Sequence, residues 1–299
     1  MKNLRRLFEK NGFVLIRGAL SQKETTLLRN HIKTKFKSKN TNDLISVSRS
    51  FEDPKIYNNL LNKKLIEASQ KIFGKSFFIN ELEVQYNSFS SSKSTPFHYD
   101  GQSQRHNNEF KSEKYKALKL GIYLQNSNEK YAGSIRVVPK SHRIFPLANK
   151  FQRFENISKK LLSKLSTKEI KVTAGDAILF DHKLLHQGMW PTIFNSQIKP
   201  EQNKINQIMK NNEKIVIYWN VFNKYASELF LKNSYDRAIK QELLSDHHSF
   251  NYFTDYLKMS YPTDYKKSLC LNLKNRNISI PTLKNKQLKL VKFISKNSI

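Results

Sequence analysis

The stretch Pro96-Phe97-His98-Tyr99-Asp100 sets an imidazole and a carboxylate two residues apart, and a second imidazole follows much later at His186. In an extended strand, residues i and i+2 leave from the same face, so His98 and Asp100 point together and Tyr99 points away. If His186 arrives from a neighbouring strand, the three donors share one side of a metal ion. About three coordination positions then stay open, the arrangement used by non-haem iron(II) centres. A His-x-Asp triplet alone is weak, because such triplets arise by chance in chains of this length. The segments around it must carry the argument.

Those segments read mostly as strands. Phe77 to Phe89 alternates, with Glu83, Gln85 and Asn87 on one face and Leu82, Val84 and Tyr86 on the other. That polar row can line a pocket or face water. Leu118 to Gln125 alternates strictly, Leu118, Leu120, Ile122 and Leu124 against Lys119, Gly121, Tyr123 and Gln125. Strands are expected at Ser134 to Val138, at Ala177 to Phe180 after the tight turn Ala174-Gly175-Asp176, and from Lys214 through Phe222. Ser141-His142-Arg143 reads as loop. Of eight glycines, five lie between residues 98 and 188, which marks where tight turns and close backbone approach are needed. Before this core, a short helix over Leu4 to Lys10 leads to an apolar strand, Phe13 to Ile16. Ser21 and Glu24 form a capping box for a helix from about Gln22 to Lys37, with Leu27, Leu28, His31 and Ile32 on its inner side. A further helix is expected over Tyr57 to Phe73, closed by Gly74.

Loops are expected at Gly101 to Glu113, of lid-like makeup, and at Phe194 to Asn212. Ser227 to Leu244 looks helical, Phe250 to Met259 continues it, and the lysine-rich tail from Asn272 reads as a solvated arm. The division expected is residues 1–224 as the main domain and 225–299 as a helical extension with a basic tail.

With 299 residues and 38% hydrophobic content, the chain can bury a substantial core, which excludes a disordered protein. Its single cysteine, Cys270, excludes an internal disulfide framework and a cysteine-based zinc cage, and fits a reducing compartment. No apolar run approaches about 18 residues, so a soluble, cytoplasmic protein without a membrane span is expected. The net charge of +29 suits nucleic acid, an anionic membrane surface or an acidic substrate. The lysines are nevertheless spread along the whole chain, and a solvated basic surface is the simpler reading.

The segments around the triplet closely resemble the phytanoyl-CoA dioxygenase family in kind, order and spacing. The resemblance rests on Phe97-His98-Tyr99-Asp100, on Ala132-Gly133-Ser134 running to Pro139-Lys140-Ser141-His142-Arg143, and on Gly175-Asp176-Ala177-Ile178-Leu179-Phe180 running to His186-Gln187-Gly188. The segment from Phe8 to Ile16 and the helix after Ser21 are also similar. It covers roughly residues 8–222. The resemblance implies a mainly β fold with flanking helices, a double-stranded β-helix or cupin-type jelly roll. It also implies Fe(II) held by His98, Asp100 and His186, with His182 the rival third ligand, and 2-oxoglutarate and O₂ as co-substrates.

The implied activity is a dioxygenase hydroxylating an unactivated C–H of a small or acyl-type substrate. The alternatives are a non-enzymatic cupin-like basic protein binding a polyanion, or an oxygenase acting on an anionic substrate such as nucleic acid or a phosphosugar. Two positions depart from the family. Its arginine that opens the last core strand and meets the distal carboxylate of 2-oxoglutarate is missing between His186 and Phe222; Lys214 stands at the matching strand start, and Lys119 is the alternative. Lys140 stands where the family's Pro-Gly-Ser turn has glycine.

Overall fold

A computed structural model of the chain describes residues 3–37, 45–46, 55–56, 62–87, 97–100, 110, 112–127, 133–148, 167–189, 214–229 and 278–279. The expected lid at 101–113 (apart from residues 110, 112 and 113), the loop at 194–212, the helix beyond residue 229 and nearly all of the tail lie outside the described residues.

The chain opens with α1 (Leu4–Asn11), β1 (Phe13–Ile16) and α2 (Gln22–Lys37). The capping box forms as its sequence dictates. The Ser21 N–H donates to Glu24 Oε2 at 2.7 Å, and the Glu24 N–H returns to Ser21 Oγ at 3.3 Å, so two otherwise orphaned donors are satisfied. Leu28 and Ile32 are buried, but Leu27 is 62% exposed and His31 only half-buried, so the inner stripe of α2 is narrower than the sequence suggests. Next come β2 (Ile45–Ser46) and α3 (Lys63–Phe73). Asn62 Oδ1 caps α3 by accepting from the Leu65 N–H, so the helix begins well after Tyr57; residues 57–61 are not described.

The remaining elements are β3 (Phe77–Asn87), β4 (Ala117–Tyr123), β5 (Ile135–Val137), α4 (Ser141–Ala148), β6 (Lys168–Ile170), β7 (Ala177–Asp181), β8 (His186–Gly188), β9 (Lys214–Phe222) and β10 (Ile278–Ser279). Residues 224–229 are helical. Among the described residues two sheets form, one in the order β1-β7-β4-β9-β3-β10 with β2 also on β3, the other β6-β5-β8. All pairings are antiparallel except β10 with β3.

Alternation along the central strands makes two cores. One face of the large sheet, with Leu118, Leu120, Ile122, Leu179, Ile217 and Trp219, packs on Phe8, Leu28, Ile32, Leu65 and Ile66 of the helices. At roughly 1.5–3 kcal/mol per fully buried large apolar side chain, this layer is a main source of stability. The opposite face, with Tyr123, Ile178, Phe180, Val216 and Tyr218, meets Ile135, Val137 and Ile170 of the small sheet. The result is the expected jelly roll of two facing sheets with helices on the outer side.

Two expectations change. Ser141-His142-Arg143 opens helix α4 and is no loop. It is also a clasp: Arg143 Nη2 donates to the Glu9 carbonyl at 2.7 Å and His142 Nε2 lies 3.2 Å from the same oxygen, which α1 leaves unsatisfied at its C-terminal turn. The tail is more than a solvated arm, since Ile278 and Ser279 pair with Phe77 and Phe78. Ala226 and Leu229 are likewise buried, against Phe222 and Tyr99.

Lys140, where the family's turn has glycine, takes a left-handed backbone at φ 69°, the one non-glycine residue with positive φ among those described. A Cβ in that region costs roughly 1–2 kcal/mol, part of which a glycine gives back through the freedom of the unfolded chain. Lys140→Gly is therefore expected to stabilise the fold by about 0.5–1 kcal/mol, a rise of about 2 °C in Tm. Lys140→Ala, which keeps the Cβ, should leave Tm where it is; a melting curve of each variant checks both.

Candidate metal centre

His98 and His186 lie side by side on the small sheet. The His98 N–H donates to the His186 carbonyl at 2.9 Å and the His186 N–H returns to the His98 carbonyl at 3.0 Å, extending the sheet past β8. The two rings stand 4.3 Å apart between centroids. Asp100, two residues along, brings Oδ1 to 3.8 Å from His186 Nε2. One donor atom from each of His98, Asp100 and His186 lies within 4.8 Å of the others, the only such cluster among the described residues. Of the sequence-expected ligands, these three come together.

His182 does not join them. Its Nε2–H donates to Asn220 Oδ1 at 3.0 Å, and its ring meets Phe222 edge-on.

The distal histidine is placed by its neighbours on both sides. The Val138 N–H donates to the Leu185 carbonyl and the Leu185 N–H donates to Ser141 Oγ, both at 2.8 Å, so the start of α4 fixes the residue before His186. His186 Nδ1–H donates to the Leu184 carbonyl at 2.9 Å, which leaves Nε2 with its lone pair toward Asp100. Burial lowers the His186 pKa to about 4 against the opposing pull of Asp100, so the ring is a neutral donor at physiological pH. His182 is likewise neutral, lowered to about 4 by burial. Burial works to raise the Asp100 pKa, but Lys119, and after it the three histidines in their protonated form, outweigh it and hold the carboxyl well below its ordinary range.

The donors fit a divalent cation. Asp100 Oδ2 is a buried carboxylate oxygen without a hydrogen-bond partner, and a buried anionic oxygen left in that state is costly unless a cation meets it.

Further support comes from the turn before β7. Buried Asp176 accepts from the Gly18 N–H and the Thr173 N–H, both at 2.8 Å, and from Arg17 at 2.6 Å, tying that turn to the end of β1. Gly175 has φ +92°, and a Cβ there would lie 2.6 Å from the Leu20 carbonyl oxygen, so only glycine fits.

Both candidate lysines face the space between the sheets. Lys119 lies opposite Phe180 and Asn220, with Nζ 3.7 Å from Asp100 Oδ1 and 5.0 Å from the centre of the Tyr218 ring. Lys214 sits at the other end of β9, buried, with Nζ donating to the carbonyls of Ser134 at 3.2 Å and Met189 at 3.3 Å. Burial alone lowers its pKa to about 8, and no carboxylate meets it among the described residues.

Between them stand Tyr123 and Tyr218, whose hydroxyls are 3.4 Å apart; burial and then the Tyr218 neighbour push the Tyr123 pKa well above its usual value. The sequence reading sets Tyr123 on the strand face of Lys119 but does not single out Tyr218 or Asn220. The signal was present, since Lys214, Val216, Tyr218 and Asn220 alternate along one strand face.

Comparison with known proteins agrees with this architecture. The chain resembles EctD from S. alaskensis, solved with 2-oxoglutarate and 5-hydroxyectoine (TM-score 0.55, 13% identity, 75% of this chain and 76% of that one). It also resembles HygX from Streptomyces hygroscopicus, solved with nickel and 2-oxoglutarate (0.54, 14%, 75% and 87%). A third similar structure is the non-heme alpha ketoglutarate dependent carbocyclase SnoK from nogalamycin biosynthesis (0.54, 14%, 75% and 84%). No curated protein matches in sequence. At these identities the likeness establishes the fold. The profile of the phytanoyl-CoA dioxygenase family, by contrast, matches residues 8–189 directly, more than half of the 299, and the chain belongs to that family.

Proposed function

We propose that this protein is an Fe(II)- and 2-oxoglutarate-dependent dioxygenase that hydroxylates an unactivated C–H of a small or acyl-type organic substrate. The ligands are His98, Asp100 and His186, and Lys214 anchors the distal carboxylate of 2-oxoglutarate. The observation that carries the reading is the three-donor cluster with its unpartnered buried Asp100 oxygen, in a member of this family. Bound iron with 2-oxoglutarate and O₂ supplies oxidative decarboxylation to succinate and CO₂, coupled to oxidation of the substrate C–H.

The chain's own residues then have separate tasks. Burial keeps His186 unprotonated and its bond to the Leu184 carbonyl keeps Nε2 aimed inward. The carboxylate in the donor set occupies a position that an external anion would otherwise take, which favours hydroxylation. Lys214 presents a buried ammonium whose two carbonyl contacts leave one of its three N–H bonds for a carboxylate. Lys119 is already paired with Asp100 and is the less suited anchor.

Purified protein with Fe(II), ascorbate and O₂ is expected to convert 2-oxoglutarate to succinate slowly without its substrate, and Asp100→Ala to lose this. Absence of succinate above a metal-free control, with iron shown to be bound, would sink the enzyme reading. His186→Ala should lose iron and His182→Ala keep it.

Removing one member of a buried charge pair typically costs on the order of 3 kcal/mol, about a hundredfold in affinity. Lys214→Met should raise the apparent 2-oxoglutarate constant by about that factor with iron binding preserved, and Lys119→Met by only a few fold. The depressed pKa of Lys214 adds a sign. A bound carboxylate favours the protonated amine, so wild-type affinity for 2-oxoglutarate should fall as pH rises through about 8, and Lys214→Met should lack that dependence. Calorimetric titration at several pH values measures both effects.

A further inference from the structure

The ladder between β4 and β9 ends on a rung that the backbone alone does not complete. One step past the pair Tyr123 and Val216, the Leu124 N–H donates to the Ile215 carbonyl at 3.0 Å. In an antiparallel ladder such a pair returns a second bond, here from the Ile215 N–H to the Leu124 carbonyl. That carbonyl instead accepts from Arg29 Nη1 at 3.1 Å. The Ile215 N–H donates to a side chain, Gln125 Oε1, at 2.9 Å. The main chain turns away directly afterwards, because Asn126 Oδ1 accepts from the Ala174 N–H and Ser127 Oγ from the Val172 N–H, both at 2.8 Å. Ile215 is fully buried, and a buried N–H without an acceptor is costly, so the Gln125 amide stands in for the missing rung.

The other end of the same amide reaches the second sheet. Gln125 is itself buried, and its Nε2 donates to the Gly133 carbonyl at 3.5 Å. The Ile215 N–H requires an oxygen opposite it, which fixes the amide with Nε2 turned toward Gly133. Both contacts fall beside the lysine at the start of β9. Ile215 follows Lys214 in the chain, and Gly133 precedes Ser134, whose carbonyl accepts from Lys214 Nζ at 3.2 Å. The second acceptor of that ammonium, the Met189 carbonyl, belongs to a residue whose own N–H donates to the Ser134 carbonyl at 2.9 Å. One buried amide therefore joins the segment that carries the ammonium to the segment that directs it.

We infer that Gln125 is a positioning residue for Lys214, holding the start of β9 and the Gly133-Ser134 segment in the register that aims the free N–H of the ammonium. The inference rests on Lys214 being the anchor for the distal carboxylate of 2-oxoglutarate, as in the function proposed above. An arginine brings its own rigid fork to a carboxylate, whereas a lysine is a point charge on a flexible stem. A lysine anchor thus depends on support that fixes both its stem and its acceptors. Gln125 supplies it at both ends through the backbone.

The test is calorimetric titration of 2-oxoglutarate into the full chain loaded with Ni(II) in place of iron, so that no turnover consumes the ligand. Wild type, Gln125→Leu, Lys214→Met and the double variant are compared, with Ni(II) affinity and a melting curve measured for each. Gln125→Leu, which has no acceptor for the Ile215 N–H, should weaken 2-oxoglutarate binding about tenfold and leave Ni(II) affinity unchanged. In the Lys214→Met background the same substitution should have almost no further effect, because residues that act through one another are not additive. If Gln125→Leu does not fold, Gln125→Asn, whose amide is one methylene too short to span both contacts, takes its place in the cycle.

Unchanged 2-oxoglutarate affinity in the Gln125 variant would overturn the inference. So would an equal loss in both backgrounds, or a parallel loss of Ni(II) affinity, since each marks a general loosening of the fold. If Lys214→Met alone binds 2-oxoglutarate as tightly as wild type, the anchor assignment itself fails and takes the inference with it.

Discussion

Two backbone hydrogen bonds exchanged between His98 and His186, at 2.9 and 3.0 Å, determine where a metal can sit in this molecule. Antiparallel pairing sets residues directly opposite one another, and side chains opposite on one face lie close enough to share a ligand. The pairing therefore converts a separation of 88 positions in sequence into neighbouring imidazoles, and the period of the strand adds Asp100 to the same side. Much of the surrounding structure serves to hold the two paired segments. Ser141 and Val138 fix Leu185, the Asp176 turn fixes the start of β7, and His142 and Arg143 tie α4 to the C-terminal turn of α1. The motif around residue 141 is thus support for the distal histidine, reaching it through the Ser141 hydroxyl and the Val138 N–H on the backbone of Leu185.

The space between the sheets is polar where it borders the donors and apolar behind them. Phe180 packs against His186 at 4.7 Å between ring centres, and Tyr218 and Tyr123 continue toward Lys214. Burial there acts in opposite directions on acids and bases. It keeps both His182 and His186 neutral, while Asp100 stays ionised because the Lys119 ammonium beside it opposes the same desolvation. A neutral imidazole beside an ionised carboxylate is the state in which each can donate a lone pair to a cation. The charge of +29 contributes little to this, because the lysines that face the space between the sheets are Lys119, half-buried, and Lys214, buried, each with neighbours specified residue by residue.

What could be read in the sequence was what local chemistry dictates. The capping box of α2, the Gly175-Asp176 turn and the strict alternation of β4 all follow from spacing and residue type, whereas the coming together of His98, Asp100 and His186 needed the flanking family pattern as well. The misreadings share a cause. Alternation tells which residues share a face, but a face bordering water and a face lining a polar cavity have the same composition. Lys119 and Lys214 therefore read as alternatives for one task, and the structure turns both inward with different neighbours. In β3 the register shifts between Asn80 and Leu82, so that Ile79 and Val84, of opposite parity, both reach the helix-side core. That shift sets Glu83, Gln85 and Asn87 opposite Tyr218, Val216 and Lys214. A bulge leaves no mark in residue type, and only the pairing shows it.

With Lys214 in the role proposed for it, in place of the family's arginine, the fold has to compensate for a change in side-chain chemistry. Arginine brings a rigid fork that matches a carboxylate by itself, whereas lysine brings a point charge with three rotatable donors. Such a donor gains direction only if the protein fixes it. Here the Ser134 and Met189 carbonyls do so, from the two strand ends that the Met189 N–H also joins by donating to the Ser134 carbonyl at 2.9 Å. Two of the three N–H bonds are thereby committed and the third has a defined direction, so the ammonium is ordered before any ligand arrives. The desolvation that lowers its pKa to about 8 is the cost of that arrangement, and an anion meeting the remaining N–H offsets it. A buried lysine with two neutral acceptors and, among the described residues, no acid beside it suits the carboxylate that the proposed function brings to that end of β9.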